Sequence, residues 1–246
     1  MPETVSIAFE TNWRGYLGYL VELPGAYVRG PTEEEAIPKV TAEVMAYLGW
    51  LGVKAEEDCK VRVVQKHRGI KTVEDADTEI LLDADQGEVT EEEFQTLINL
   101  TRFSAETFAK LYDTAENKDW VDQSAVRRTF YGNRPATAKA IFEHVGRCQF
   151  YYLSRMKITN EIDGDFVASR EFCLSRLEKL YRRKNNSLNY KIDHEQWTLK
   201  KVLRRFVWHD RIHGKAMTRI LEKQRQLGII SDYEDCFSFG TIISQE

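Results

Sequence analysis

The sequence predicts a small α+β domain followed by an all-α four-helix bundle, and two observations carry this prediction. Up to about residue 88, short apolar runs alternate with turn residues around one helix, as in a small sheet with a helix packed on one face. Beyond that point, apolar residues recur at helical spacing through four long segments. The predicted domains are therefore 1–88 and 89–246, the second ending in a C-terminal tail.

Five segments of the first domain have the composition of β-strands. They are SIAFE, YLGYLVEL, AYVRG, KVRVVQKH and TEILLDAD. The Pro24-Gly25 turn separates the second strand from the third. A capping box from Thr32 to Glu35 begins the single predicted helix, whose apolar side continues to Leu51.

Four amphipathic helices are predicted in the second domain, and the first begins at another capping box, Thr90 to Glu93. The predicted helices run from Thr90 to about Tyr112, from Pro135 to about Met156, from Asp163 to the basic cluster at 182–186, and from Trp197 to about Gln226. A polar stretch, 113–133, connects the first two, and Gly228 stops the last. Helices of this length joined by medium connections favour a four-helix bundle.

Composition is that of a soluble globular protein, with 42% hydrophobic and 30% charged residues among 246. No apolar run approaches the ~18 residues that cross a bilayer, so no membrane interaction is expected. The N-terminus lacks the basic segment and apolar core of an export signal, and we expect a cytoplasmic protein. The four cysteines are far apart and form no CxxC, which argues against a disulfide framework or a structural zinc ribbon.

Net charge is distributed unevenly along the chain. Residues 1–95 hold 20 acidic and 9 basic side chains, whereas residues 96–246 hold 19 acidic and 26 basic ones. The two parts therefore carry −11 and +7, and opposite fields favour their docking on each other.

Three histidines form the candidate metal site. On the last helix an apolar stripe steps through positions 199, 202, 206, 209, 213, 217 and 220, so His209 and His213 stand where core residues are expected. Residues at i and i+4 share one helix face, which lets two imidazoles reach one ion. His144 lies beside the apolar stripe of the second helix and supplies a third ligand.

Three neutral imidazoles leave a coordination position open, as in catalytic rather than structural sites. Imidazole ligands suit zinc, nickel, iron or copper, and of these zinc or nickel is the favoured ion. The alternative for each histidine alone is a hydrogen-bonded core residue or a surface residue. His67 and His194 fall in polar surroundings and are predicted to face solvent.

Four further residues lie close to these histidines in the sequence. Cys148, one turn after His144, is either a further ligand or a small buried hydrophobe, and the second interpretation is favoured. Arg205, one turn before His209, is the residue best placed to meet a carboxylate of a bound cofactor near the metal. Glu143 and Asp210 each adjoin a ligand in sequence, so they point away from the ligand direction.

The segments FEHVGRCQFYYLSRM and FVWHDRIHGKAM resemble the DinB/YfiT-like superfamily over about residues 92–227. Members of that superfamily are four-helix bundles that bind a divalent metal through one histidine of the second helix and an HxxxH of the fourth. By position, the resemblance implies that His144, His209 and His213 are the ligands. Some members transfer low-molecular-weight thiols such as bacillithiol, mycothiol or glutathione, one is a thiol-dependent isomerase, and some look like hydrolases.

The segment GYLGYLVELPGAYVRGPTEEEAIPKVTAEVMAYLGWL resembles the HicB-like antitoxin domain, over about residues 1–85. The resemblance implies a β-β-β-α-β unit. It does not imply that family's toxin partner or DNA-binding tail, because another module follows here. A generic small α+β domain is the alternative.

These observations leave two functional hypotheses. The first is a metal-dependent enzyme, such as a thiol S-transferase or a hydrolase, acting on a small-molecule thiol or electrophile. The second is a non-catalytic metal-binding stress or interaction protein whose N-terminal domain binds a protein partner. A homodimer is compatible with either. Nucleic-acid binding is disfavoured, because the basic residues lack the aromatic interleaving that base contacts use.

Overall fold

A computed structural model of the protein describes residues 4–54, 59–129 and 132–243. Its N-terminal part is a small sheet with a helix, and a helical region follows. None of the helices in the described part of the chain has both the length and the apolar character needed to cross a bilayer.

A four-stranded sheet forms the N-terminal part. Its strands are β1 (Thr4–Thr11), β2 (Tyr16–Leu20), β3 (Tyr27–Gly30) and β4 (Lys60–Arg68), in the order β3-β2-β1-β4. β1 pairs antiparallel with β2, β2 pairs antiparallel with β3, and β4 runs parallel to β1. A parallel pair needs a crossover. Here the crossover contains α1 (Glu33–Ala36), a 3-10 turn (Ile37–Lys39) and α2 (Val40–Trp50).

Both faces of this sheet are covered. Val5, Ile7 and Phe9 of β1 share a hydrophobic cluster with the apolar side of α2. Because side chains alternate across a strand, Ala8 belongs to the opposite face, where it clusters with Trp208 of the last long helix. Burial on both faces explains why apolar residues occupy consecutive positions, 7–9, in β1.

The helical region contains three helices of about 20 residues and one longer helix. They are α3 (Glu91–Asp113), α4 (Ala138–Ser154), α5 (Phe166–Lys184) and α6 (Leu199–Gln226), followed by a short α7 (Gly240–Ile243). Two small hairpins lie between them, β5 (Arg128–Thr129) with β6 (Gly132–Asn133) and β7 (Tyr190–Ile192) with β8 (Glu195–Trp197). α6 contacts both α3 and α4, and α5 contacts α3 and α4.

Side-chain caps fix the helix starts. The predicted capping box of α3 is present, with the Glu93 amide donating to Thr90 Oγ1 at 3.2 Å and the Thr90 amide donating to Glu93 Oε2 at 2.9 Å. α4 begins later than the predicted Pro135, because Thr137 caps it by accepting from the Ala140 amide at 3.0 Å. α6 begins after the predicted Trp197, which lies in β8, because Thr198 is its N-cap.

The predicted fifth strand, TEILLDAD, is wrong. No strand is assigned to residues 78–85, and the segment ends in a 3-10 turn, Asp83–Asp85. Side chains take up its backbone groups instead: Gln65 Nε2 donates to the Leu81 carbonyl and Lys201 Nζ to the Glu79 carbonyl. The segment therefore lies over one face of the sheet without pairing with a strand, and residues 78–85 are called the strap.

Charged pairs join α6 to the N-terminal part. Arg204 binds Asp85 through two nitrogens, and Arg211 Nη2 lies 2.8 Å from Glu43 Oε1. All four side chains are buried. Asp85 belongs to the 3-10 turn and Glu43 to α2, so these pairs fix the basic face of α6 against two elements that pack on the sheet.

Candidate metal centre

α6 presents two of the three histidines on one face. His209 and His213 are separated by one helical turn, and their ring centroids are 4.4 Å apart. His209 is buried with only 7% of its surface exposed, whereas His213 is half-buried. The exposed edge of His213 marks the side of the pair that opens to the cavity described below.

α4 supplies the third histidine. The ring centroid of His144 lies 5.3 Å from that of His209 and 4.7 Å from that of His213. α4 packs on α6 at this level, with Tyr152 against Phe206 at a centroid distance of 5.4 Å. The structure therefore brings together the three histidines that the sequence singled out.

Cys148 also belongs to this group, although the sequence favoured a purely structural role for it. Its Sγ lies 3.8 Å from His144 Nε2. Donor atoms of His144, Cys148 and His209 all lie within 4.8 Å of one another, a set that does not include His213. Two ligands on a tetrahedral zinc at ~2.0 Å (N) and ~2.3 Å (S) are about 3.5 Å apart, so the spacing between His144 and Cys148 suits a shared ion.

The pKa values of the histidines are shifted in the direction that favours metal binding. Burial lowers the pKa of His209 well below its usual 6.5, and the neighbouring His213 and His144 lower it further. The pKa of His213 is likewise lowered, first by burial and then by His144. Metal ligation requires neutral imidazole, and these rings are neutral at physiological pH. Burial raises the pKa of the Cys148 thiol to about 11, so without a cation it stays protonated.

A buried ion pair joins α5 to α6 next to the histidines. Arg170 of α5 binds both carboxylate oxygens of Asp210 at 2.8 and 2.9 Å, and its Nε donates to Gln149 Oε1 at 2.7 Å. Both charged side chains are almost wholly buried. Asp210 thus points away from the histidines, as expected, and holds α6 against α5. Glu143 is exposed.

Arg205 lies one turn before His209 and is 94% buried, with 6% of its surface exposed. Its guanidinium stands 4.7 Å from the Trp208 ring centroid, and Nη1 donates to the Thr78 carbonyl at 3.4 Å. Its Nε has no hydrogen-bond partner among the described residues. Because Arg205 also lines the cavity described below, its buried positive charge favours an anionic group there.

The three histidines, Cys148 and Arg205 line one large cavity. The volume of this cavity is about 1090 Å³. The opposite wall comes from the N-terminal part, with residues of β3, the start of α2 and residues 73–77, which precede the strap. The candidate centre therefore lies between the sheet and the helices.

A second group of metal-type donors lies within the sheet region, and the sequence missed it. It contains Glu10 of β1, His67 of β4 and Glu79 of the strap, with donor atoms within 4.8 Å of one another. His67 is half-buried rather than solvent-facing as predicted, with Nε2 3.6 Å from Glu79 Oε1. His194 is exposed, as predicted.

No protein-family profile, curated protein or solved structure matches this chain.

Proposed function

We propose that the protein is a divalent-metal-dependent enzyme of the DinB/YfiT-like type, with the metal held by His144, His209 and His213. The observation that carries the proposal is the meeting of three neutral imidazoles from two helices at the wall of a 1090 Å³ cavity. A structural site is closed around its ion, whereas this one faces a space that holds a small molecule.

The fold is consistent with this type. We propose that α3, α4, α5 and α6 form the four-helix bundle, since each contacts at least two of the others. The second of these helices carries His144 and the fourth carries His209 and His213, which is the order that the resemblance implies. The N-terminal β-β-β-α-β order likewise supports the HicB-like resemblance for residues 1–88.

Zinc or nickel held by these residues would act as a Lewis acid that lowers the pKa of a bound thiol or water, which supplies a nucleophile near neutral pH. The protein's own groups do the rest. Arg205 offers a buried positive charge to an anionic part of the reactant. Tyr152, whose ring centroid lies 5.5 Å from that of His209, and Trp208 line the cavity and exclude water. This arrangement favours a low-molecular-weight-thiol S-transferase.

The second hypothesis, a non-catalytic protein that binds a partner through its N-terminal domain, has less support. Such a partner needs a free face or edge of the sheet. α2 covers one face, and α6 with the strap covers the other. A partner of this kind would have to pair with an edge strand, β3 or β4.

Turnover measurements test the proposal. The protein, purified without a histidine tag, is stripped with a chelator, reloaded with zinc or nickel, and assayed with glutathione, bacillithiol or mycothiol and a chromogenic electrophile. We expect turnover at least about ten-fold above that of the stripped protein and its loss in a His209→Ala/His213→Ala variant. Loaded protein without metal-dependent turnover on any thiol would contradict the enzyme proposal.

A further inference from the structure

β3 is an edge strand of the sheet, and its outer edge faces the cavity. Residues 27–31 all line the cavity. Side chains of a strand alternate between the two faces of the sheet. Tyr27 belongs to the cluster with Trp208 on one face, and Val28 to the cluster with α2 on the other. A cavity lined by consecutive residues of both kinds lies beside the edge of the strand, where the backbone groups are.

The pairing pattern of β3 with β2 decides which backbone groups point outward. In an antiparallel ladder, alternate residues of a strand bond to the same neighbour. The Leu20 amide donates to the Ala26 carbonyl at 3.1 Å. The same register continues along β3, so Val28 also bonds to β2, whereas Tyr27 and Arg29 direct their amides and carbonyls away from the sheet.

Two of these four outward groups are occupied by side chains. The Tyr27 amide donates to Glu43 Oε1 at 3.2 Å, and Lys39 Nζ donates to the Arg29 carbonyl at 2.8 Å. Within the part of the chain that the structure describes, the Tyr27 carbonyl and the Arg29 amide make no hydrogen bond. An acceptor and a donor therefore flank Val28 and point to the same side.

This pair of groups matches one residue of a parallel strand. The amide of an incoming residue would donate to the Tyr27 carbonyl, and the carbonyl of the same residue would accept from the Arg29 amide. Main-chain pairing of this kind adds an extended peptide to the edge of a sheet. A peptide supplies both groups at this spacing from a single residue.

The outer edge of β3 is also close to the histidines. The ring centroid of Trp208 lies 6.5 Å from that of Tyr27 and 6.2 Å from that of His209, and all three residues line the cavity. An extended chain advances about 3.3 Å per residue, so a peptide of about four residues is long enough to reach from β3 to the histidines. The cavity volume of about 1090 Å³ has room for such a peptide.

We propose that the outer edge of β3 binds a short peptide in parallel, through the Tyr27 carbonyl and the Arg29 amide, and that a cysteine-containing peptide of this kind is the reactant of the metal centre. This inference deepens the proposed function and rests on it for one point, that the reactive thiol lies at the histidines. The sheet then holds the reactant by its main chain while the thiol lies at the metal.

The first arm of the test needs no metal. Chelator-treated protein is titrated by calorimetry with N-acetyl-Ala-Ala-Cys-Ala-amide and with analogues in which an ester replaces one backbone amide at a time. One analogue loses the donor to the Tyr27 carbonyl and should bind about ten-fold more weakly than the parent peptide, whereas the others should bind within about three-fold. Equal binding by all analogues, or no binding of the parent peptide at about 10 mM, would overturn the proposal.

Proline and alanine at position 29 separate the backbone from the side chain. Arg29→Pro removes the outward amide, and Arg29→Ala is the matched control that keeps it. Proline is tolerated on an edge strand where the amide points away from the sheet, so Arg29→Pro should melt as wild type does and bind the peptide about ten-fold more weakly than Arg29→Ala. Val28→Pro loses a bond to β2 and should melt at a lower temperature. Equal peptide affinity of Arg29→Pro and Arg29→Ala would contradict the pairing. Should Arg29→Pro not fold, the ester series on wild type decides.

The second arm uses zinc-loaded protein and a peptide with serine in place of cysteine. Zinc should raise the affinity for the cysteine peptide at least about ten-fold and change that for the serine peptide less than about two-fold. If zinc has no such effect while the ester series and Arg29→Pro still weaken binding, the proposed function fails and peptide binding at β3 stands. If zinc raises the affinity but neither an ester nor Arg29→Pro lowers it, pairing with β3 fails and the proposed function stands.

Discussion

The molecule contains two clusters of metal-type donors that differ in what their lone pairs already bind. In the sheet cluster, Glu10 accepts from the Thr78 hydroxyl and from the Glu79 amide, and Glu79 Oε1 accepts from the Ile70 amide. In the helix cluster, no hydrogen bond joins the ring nitrogens of His209 or His213 to another described residue. The two carboxylates of the sheet cluster are therefore engaged within the fold, whereas the buried His67 Nε2 has no hydrogen-bond partner among the described residues. In the helix cluster, His144 Nε2 contacts Cys148 Sγ, so the contrast with the carboxylates concerns His209 and His213.

The two clusters also differ in whether they line the cavity. Glu10, His67 and Glu79 lie outside the cavity, and the Gly69 backbone packs closely on Glu79, since a Cβ added at Gly69 would come within 2.5 Å of Glu79 Oε1. The histidines face open space. Proximity of donor atoms alone therefore does not distinguish a metal site from a structural hydrogen-bond network. The helix cluster differs from the sheet cluster in lining the cavity.

The largest expected effect is on metal affinity. His209→Ala/His213→Ala removes two ligands and should weaken zinc binding more than about 100-fold, since losing an outer partner of a ligand already costs 10–100-fold. Competition with a chelating dye measures the affinity. His67→Gln/Glu79→Gln in the sheet cluster is the matched control and should bind zinc as wild type does. A comparable loss of zinc affinity in the control would contradict the claim that only the helix cluster binds the metal.

The next largest effect is on stability. Here the variant in the sheet cluster is expected to lose more than the variant in the helix cluster. Glu10→Ala leaves the Glu79 amide without its acceptor in a buried place, and should lower the free energy of unfolding by about 1–3 kcal/mol. His209→Leu in metal-free protein has no hydrogen bond to lose and should change it by less than about 1 kcal/mol. Urea unfolding compares the two. A larger loss for His209→Leu would mean that the histidine is a structural residue.

The order of the elements and the three histidines could be predicted from the sequence, because helix caps and stripe positions are local signals. Thr90 to Glu93 identified α3, and the i, i+4 spacing placed His209 and His213 on one face. The strap at 78–85 could not be predicted, since its backbone partners come from Gln65 and Lys201, distant in sequence. The sheet cluster and the part of the cavity wall contributed by Arg29 could not be predicted for the same reason. Both depend on how α6 covers the sheet.

Acid should destabilise the metal-free protein through the helix cluster. The folded-state pKa values of His209 and His213 lie below the unfolded value of 6.5. Below that pH the unfolded chain takes up protons that the folded protein does not, so stability is lost as the pH falls. The loss is up to about 1.4 kcal/mol per pH unit for each histidine. Urea unfolding from about pH 7.5 to about pH 5 should show a shallower fall in His209→Leu/His213→Leu, and equal slopes would contradict the lowered pKa values.

The smallest effect is expected at Cys148. With three histidines as the ligands, Cys148→Ser should change zinc affinity by less than about three-fold, well below the effect of removing a ligand. Cobalt-substituted wild type should likewise lack a sulfur-to-cobalt charge-transfer band. A strong band that disappears in Cys148→Ser, with a large loss of affinity, would replace His213 by Cys148 in the ligand set.

Metal content tests the central claim most directly. Elemental analysis of tag-free wild-type protein should find about one zinc or nickel per chain, and almost none in His209→Ala/His213→Ala of equal thermal stability. Wild-type protein that holds no metal after incubation with zinc or nickel and desalting, or a double variant that holds as much as wild type, would show that the three histidines are not a metal centre.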